Sequence, residues 1–488
     1  MTQRKFIGAA IAAALSTTTL LACSQGGNSA NQNASGEQSG ITLDRKAEKA
    51  LREAIAEAPM HGLKPELFLT DGEAKGDALV EAGLKYASAL ANGYSDPKEL
   101  FEVYTIPRAQ TDVRAGLRQA IEEGRVSEWL KSLPPQTDEY RALSQAFLRY
   151  AKQAGETADR PIPADTPIKP GARDERIPAI VAVLRSGGYL PEEQQSNDQG
   201  QQQQPTTYTP QLVEAVKQFQ ADSGVKSDGV LGKDTIGALS TGPAARARQL
   251  AVAMERLRWL QRDPPGTRID VNTAATVLDY WRDGQHADRR KVVAGDAPTP
   301  TPQLQSPLYR LVAKPTWTVP QGIAEKELVP KGQDWLNRNN FVVKDGQYVQ
   351  QSGPKNSLGL VKLDLKNDQA IYLHDTPAKA LFAQDERHRS HGCVRVENAV
   401  QFATMLAEQE GVRDKFEQAM AKDDQAFIQL PREIPVRLLY QTAFWDGARI
   451  QFRDDVYGWD ENIAKALQLA AGPPRKIRQP QSSDDIGP

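Results

Sequence analysis

Cysteine is nearly missing from this 488-residue chain, which holds only Cys23 and Cys393. Once Cys23 is assigned to another role, no partner remains for a disulfide, so the fold must rest on its cores. A surplus of one charge is missing as well. Sixty Lys and Arg face 62 Asp and Glu, a formal net charge of -2, and this leaves no electrostatic case for a nucleic-acid partner or a polybasic membrane contact. The apolar run at the N-terminus, Phe6 to Leu15, is too short for a stable membrane span. Histidine occurs five times and never in the H-E-x-x-H spacing of a zinc peptidase. What is present, 39% hydrophobic and 25% charged residues, describes ordinary globular material. The length is too great for one core and calls for roughly three or four domains.

The N-terminus has the order of a secretory signal. Arg4 and Lys5 precede the apolar run, and small residues close it at Leu20-Leu21-Ala22-Cys23-Ser24. That ending resembles the lipobox of bacterial lipoproteins, whose cysteine is acylated and becomes the mature N-terminus. The expectation is a signal peptide over residues 1–22, lipidation at Cys23 and a Gly-, Ser-, Asn- and Gln-rich flexible tether over 23–41. Ser24 is not the aspartate associated with inner-membrane retention, so the implied address is the inner face of the outer membrane.

Residues 42–160 carry helical periodicity. Leu51, Ala54, Ile55 and Ala58 form one stripe, and Leu79, Ala82, Gly83, Tyr86 and Leu90 another. No catalytic constellation stands out there, and His61 beside Gly62 reads as structural. A proline-rich stretch over 160–171 reads as a linker. Over 172–241, Ile177, Ile180, Val181 and Leu184 predict a helix, and a Gln-rich loop follows. A second helix carries Leu212, Val216 and Phe219, and Asp234 is a candidate cap for a third ending near Leu239. Ala215-Val216, Phe219-Gln220, Asp228-Gly229-Val230, Gly232, Thr235 and Ala238-Leu239 resemble the small helical peptidoglycan-binding domain. Ala244 to Leu260 reads as a linking helix.

From 266 to 440 the period shortens. Thr276 to Trp281 and Arg290 to Ala294 predict a hairpin around Asp283-Gly284. Leu360–Leu365 and Ala370–Leu373 predict two further strands, and a helix follows from Glu397 with Asn398 as its cap. About 297–356 shows little period and contains Trp317 and Trp335, which suits a functional insertion. The chemistry concentrates at Tyr372-Leu373-His374-Asp375-Thr376 and Ser390-His391-Gly392-Cys393-Val394-Arg395. A thiol becomes a useful nucleophile when a neighbouring base takes its proton or stabilises the thiolate. His374 at a strand end is a rigid mount for such a base. A Ser390–Cys393 turn just ahead of a helix can aim backbone N–H groups at a thiolate and an oxyanion, with Gly392 permitting the sharp backbone. Two other readings stand beside this one. Cys393 is also explained as a buried small hydrophobe with His374 a satisfied structural group. His374, Asp375, His388, His391 and Cys393 are also five possible zinc ligands, without a standard spacing.

The His374 to Cys393 interval with S-H-G-C-x-R resembles the L,D-transpeptidase catalytic domain. The domain order, with Glu255-Arg256-Leu257-Arg258-Trp259 and Tyr372 to Pro377, is similar to its large YcbB-type branch. The resemblance implies a multidomain α+β fold: a helical scaffold domain, a small helical peptidoglycan-binding domain, and a mainly-β catalytic domain with an inserted capping subdomain. It implies Cys393 as nucleophile, His374 as proton acceptor and donor, and no cofactor or metal. The implied substrate is peptidoglycan: a tetrapeptide stem is attacked at its diaminopimelate–D-alanine bond, and a second stem then accepts it in a 3→3 cross-link. His391 is expected to order the turn and Asp375 to orient His374, while Arg395 either pairs with a substrate carboxylate or braces the turn. Hydrolysis to a carboxypeptidase product, anchoring of a protein to the wall, or an idle wall-binding scaffold are the alternatives. Protein partners and the role of residues 441–488 are not legible.

Overall fold

The computed structural model describes residues 40–70, 74–156, 161–191, 206–472 and 487–488. Cys23, the signal, nearly all of the tether and the Gln-rich stretch lie outside the described residues. Among the described residues no helix is long and apolar enough to cross a membrane.

The scaffold region holds α1 (Arg45–Ala56), α2 (Asp77–Asn92), α3 (Val113–Glu122), α4 (Val126–Ser132) and α5 (Asp138–Glu156). Asp44 starts α1 by accepting a hydrogen bond from the Ala47 N–H at 2.7 Å. The stripe Leu51 and Ile55 then buries against Leu79, Tyr86 and Leu90 of α2. His61 is structural: Nδ1 lies 3.1 Å from the Tyr140 hydroxyl, and burial, with Arg258 nearby, lowers its pKa to about 3.

The next region packs α6 (Ile177–Ser186), α7 (Pro210–Asp222) and α8 (Lys233–Leu239) through Ile177, Leu184, Val216, Phe219 and Ile236. Two details differ from expectation. Gly232, not Asp234, holds the cap position of α8, and Asp234 sits inside its first turn. The proline-rich stretch is part of this core: Ile162 and Ile168 are buried in it, and Ile168 exchanges backbone hydrogen bonds with Leu231. Prolines hold the chain extended, and an extended chain presents its remaining N–H groups to a neighbour.

The expected linking helix is a central column. α9 (Pro243–Trp259) is buried on nearly every side and packs Leu250, Ala253 and Met254 against Tyr140 and Leu143 of α5. It also buries an ion pair, Glu255 with Arg258, both side chains fully enclosed. Glu255 accepts from the Ser95 N–H and hydroxyl and from Trp259 Nε1. Arg258 donates to the His61 carbonyl and the Tyr140 hydroxyl. Every charged atom has a partner, the condition under which a buried pair is tolerated.

The β region begins with β1 (Arg268–Asn272), β2 (Val277–Arg282), β3 (Gln285–Gly295) and β4 (Leu304–Ala313). The β2–β3 hairpin turns through Asp283 and Gly284, both at positive φ, as a two-residue turn of matching twist requires. An insertion carries β5 (Trp317–Thr318), α10 (Gln333–Arg338), β6 (Phe341–Lys344) and β7 (Gln347–Gln350). Then follow β8 (Val361–Leu365), β9 (Leu373–His374), β10 (His388–Ser390), β11 (Val394–Val396), α11 (Ala399–Gln409), α12 (Arg413–Met420) and β12 (Ala426–Leu439). The large sheet runs β10-β3-β11-β9-β8-β4-β12-β1-β2, and β2 pairs again with β3, so the order closes on itself.

The insertion is shorter than the expected 297–356. β4 lies inside that range yet pairs with β8 and β12 of the main sheet. The insertion proper hangs between Lys314 and Leu360, whose backbones are hydrogen-bonded to each other at 2.9 Å. Pro307 and the Gln305-Ser306 pair hide the strand period, because both faces of β4 are largely covered.

The C-terminal residues now have a structural role. β13 (Ala443–Trp445) and β14 (Ile450–Phe452) form a hairpin against α5 and α9. α13 (Asp460–Ala466) sends Ile463 and Ala464 into the scaffold core. Asp222, the last residue of α7, accepts from Arg449 at 2.7 Å and Gln451 at 3.0 Å.

Candidate active site

Strand register assembles the site. β9 lies between β8 and β11, with His374 opposite Lys362 on one side and Arg395 on the other. Side chains alternate along a strand, so Tyr372, His374 and Arg395 share a face, and Cys393 continues it one step before β11. Leu373, Val394 and Val396 turn the other way and join Phe402 and Leu406 of α11 in the core. The rings of Tyr372 and His374 meet edge to face at 5.6 Å, and Lys362 Nζ stands 4.1 Å over the Tyr372 ring.

His374 is fully buried. Its Nδ1 lies 2.5 Å from the Asp375 carbonyl oxygen. A carbonyl only accepts, so Nδ1 carries the proton and Nε2 keeps its lone pair. Nε2 is buried with no hydrogen-bond partner. Asp375 therefore touches His374 through its backbone alone, and its carboxylate binds the Leu360 N–H and Lys379.

Cys393 ends a turn between two strands. The expected turn ahead of a helix is corrected here, since β11 intervenes and α11 begins only at Ala399. Asn398 precedes α11 at φ 50 and makes no side-chain cap bond. The turn is tied from within and from outside. Ser390 Oγ donates to the Cys393 carbonyl at 2.5 Å and accepts from the Gly392 N–H at 3.2 Å. Thr301 Oγ1 donates to the Gly392 carbonyl at 2.9 Å. Gly392 sits at φ 112, a conformation that other residues rarely adopt. Its N–H is engaged by Ser390, so it does not converge on an oxyanion as the sequence suggested.

His391 is held by two partners outside the turn. Nε2 is 2.6 Å from Glu327 of the insertion and Nδ1 is 2.7 Å from the Gly487 carbonyl. Both contacts call for an N–H, and Glu327 accordingly raises the imidazole pKa, with burial acting against it. The insertion's own core of Trp317, Leu328, Leu336, Phe341 and Leu358 packs on Tyr372. It thus covers the face that carries His374 and Cys393, and Cys393 is 5% exposed.

Burial sets the electrostatics. It pushes the Cys393 thiol up to about 11, against the Tyr372 backbone N–H and hydroxyl and the positive charges of Lys362 and Arg395. Burial first, then Arg395, holds His374 well below its usual value. In this closed arrangement the pair is thiol and neutral imidazole, and not the stabilised thiolate expected from the turn. Arg395 is itself buried and packs against Gly487.

Tyr372, Thr301 and Glu327 belong to the site although the sequence did not single them out. Tyr372 was visible two positions before His374, where strand alternation puts it on the same face. Thr301 and Glu327 carry no local signal. His388, a possible zinc ligand by sequence, instead contacts Glu386 and the Thr273 carbonyl. Among the described residues no group of three or more His, Cys, Asp or Glu is placed to hold a metal ion.

Residues 266–414 match the YkuD family model, described as the L,D-transpeptidase catalytic domain. Residues 39–147 match the scaffold domain, and 173–239 match the "Putative peptidoglycan binding domain". A "Putative L,D-transpeptidase" of Haemophilus influenzae is 29% identical over 240 residues, covering 44% of this chain and 49% of that protein. The chain thus spans about half the length of this curated relative. Similar solved structures include an L,D-transpeptidase from Mycobacterium smegmatis, at 12% identity over 36% of this chain and 58% of that one, TM-score 0.21. Another is the L,D-transpeptidase from Xylanimonas cellulosilytica, at 15% identity over 57% of this chain and 98% of that one, TM-score 0.20. Along its length the chain thus matches, in order, a scaffold domain, a peptidoglycan-binding domain and the L,D-transpeptidase catalytic domain.

Proposed function

We propose that the chain is a peptidoglycan transpeptidase that forms 3→3 cross-links through a thioester on Cys393. The observation that carries the reading is the unpartnered, buried Nε2 of His374, on the strand paired with the one that follows Cys393. As a tetrapeptide stem enters, His374 Nε2 takes the thiol proton while Sγ attacks the carbonyl of the diaminopimelate–D-alanine bond. The imidazolium then returns that proton to the departing D-alanine nitrogen, leaving a thioester and a neutral imidazole. The amine of a second stem attacks the thioester, His374 accepts its proton, and the thiolate leaves and is reprotonated. Splitting amide exchange into two acyl transfers lowers each barrier. The fixed positive charge of Arg395 suits a substrate carboxylate.

The insertion acts as a cap that excludes water from the thioester, which favours an amine acceptor over hydrolysis. The protein works in the periplasm, anchored through lipid on Cys23, and intact-mass analysis of membrane-extracted protein should show loss of residues 1–22 with added acyl mass. Incubation with tetrapeptide muropeptides followed by mass spectrometry tests the reaction. A dimer lacking one D-alanine is expected. A tripeptide product alone would make the enzyme a carboxypeptidase, and no change at all would leave a wall-binding scaffold.

A further inference from the structure

A cleft of about 340 Å³ lies far along the chain from Cys393, where three regions meet. One wall is α5, with Gln145, Arg149 and Tyr150. The second is the turn after α6, with Gly187 and Tyr189. The third is the β13–β14 hairpin, with Trp445 and Arg449.

The walls are tied to one another in pairs. Gln153 of α5 donates to the Ser186 carbonyl at 3.2 Å. Arg449 of the hairpin lies over the Tyr189 ring of the second wall, and Arg449 and Gln451 hold Asp222 of α7, the helix on which Tyr189 packs. The Trp445 N–H lies 3.4 Å from Glu139 of α5. Each tie crosses a different edge of the cleft, so the opening is pre-formed. Ligand sites favour such junctions between domains, and a pre-formed one needs little ordering on binding.

The lining has a definite chemistry. Trp445, Tyr150 and Tyr189 are only half-buried, leaving aromatic surface in the opening. Tyr189 is held by Phe219 on its edge, with ring centroids 5.4 Å apart, and by the Arg449 guanidinium 4.4 Å over its face. Gln145 and Arg149 are exposed and bring amide and guanidinium donors. The half-buried indole of Trp445 beside neutral and cationic donors suits a sugar ring, whose C–H face is apolar and whose edge bears hydroxyl and acetamido groups. A free peptide helix would call for a longer apolar groove, and a nucleic acid for a broad basic surface.

We infer that this cleft binds the glycan backbone of the wall, a β-linked N-acetylhexosamine chain, and so holds a strand while the stem peptide reaches Cys393. The inference rests on the transpeptidase reading for the identity of the polymer, though not for the geometry of the cleft. A β-1,4-linked tetramer of N-acetylglucosamine, which carries no stem peptide, is the probe, titrated calorimetrically into the full chain. Saturable binding is expected, weakened tenfold or more by Trp445→Ala and by Arg149→Ala. Arg149 is exposed, so its loss leaves the fold intact, and circular dichroism checks the tryptophan variant. No binding by the parent, or parent affinity in both variants, overturns the assignment. Acyl-enzyme formation by the parent protein with a free tetrapeptide is measured separately. That reaction needs no sugar, so its failure counts against the transpeptidase reading alone.

Discussion

In the proposed reaction, neutral thiol and neutral imidazole at rest make His374 a base that acts during attack. Cys393→Ala removes one small atom beyond Cβ and should abolish turnover while leaving the thermal midpoint near that of the parent. His374→Ala should slow acylation by roughly a hundred- to ten-thousandfold. Single-turnover mass spectrometry reads both, and parent rates in the histidine variant would mean that another group activates the thiol. The protonation states make a second, separate claim. A thiol at about 11 is a minute fraction thiolate at neutral pH, so alkylation of Cys393 by iodoacetamide should climb about tenfold per pH unit from 7 to 10. A plateau near neutrality would reveal a preformed thiolate–imidazolium pair instead. Cys393 and His374 were legible in sequence as a candidate nucleophile and base because each sits in a short string of unlike residues. The thiol's acidity was not, because burial is set by the insertion and by Tyr372, and neither can be placed from the turn alone.

Elements were legible where their period was undisturbed. The β2–β3 hairpin announces itself by Asp283-Gly284 and alternation on both sides. β4 does not, since Pro307 interrupts it and covered faces erase the alternation. β9 is only two residues long and is defined by its neighbours' hydrogen bonds. The role of His391 likewise depends on an element distant in sequence. Its imidazolium joins the Ser390–Cys393 turn to Glu327, so the insertion is fastened over the thiol at a charged contact. Glu327→Gln replaces a charged acceptor by a neutral one, and the cap should open more often. Alkylation of Cys393 at fixed pH should then rise several-fold. Equal rates in parent and variant would show that apolar packing on Tyr372 alone keeps the insertion closed.

At the scale of the whole molecule, α9 joins the scaffold helices to α8 and to the C-terminal hairpin and helix. Its Glu255 serves Ser95, Trp259 and Arg258 at once, and removing it strands an arginine with no solvent. Glu255→Ala should cost about 3–5 kcal/mol, the penalty for breaking a buried pair by deleting one partner. Chemical denaturation measures this, and a loss below about 1 kcal/mol would mean that water enters to replace the carboxylate. The motif Glu255-Arg256-Leu257-Arg258-Trp259 pointed to a family, yet its physical meaning, a polar knot inside a helix bundle, needed the partners His61, Ser95 and Tyr140 to be visible.

The return of the chain to its beginning has a consequence for synthesis. Ile463, Ala464 and Leu467 complete a core whose other members lie between Ile41 and Leu133 or on α9. Phe452 does the same for the contact between α5 and α9. The scaffold core therefore waits, with part of its apolar surface uncovered, for residues made more than three hundred positions later. Folding cannot be completed domain by domain as the chain emerges. A chain stopped at Tyr440 would keep His374, Cys393 and the whole large sheet, yet it should be cleared by proteases before it accumulates. Pulse-chase labelling of such a truncation alongside Cys393→Ala would separate loss of the catalyst from loss of the protein.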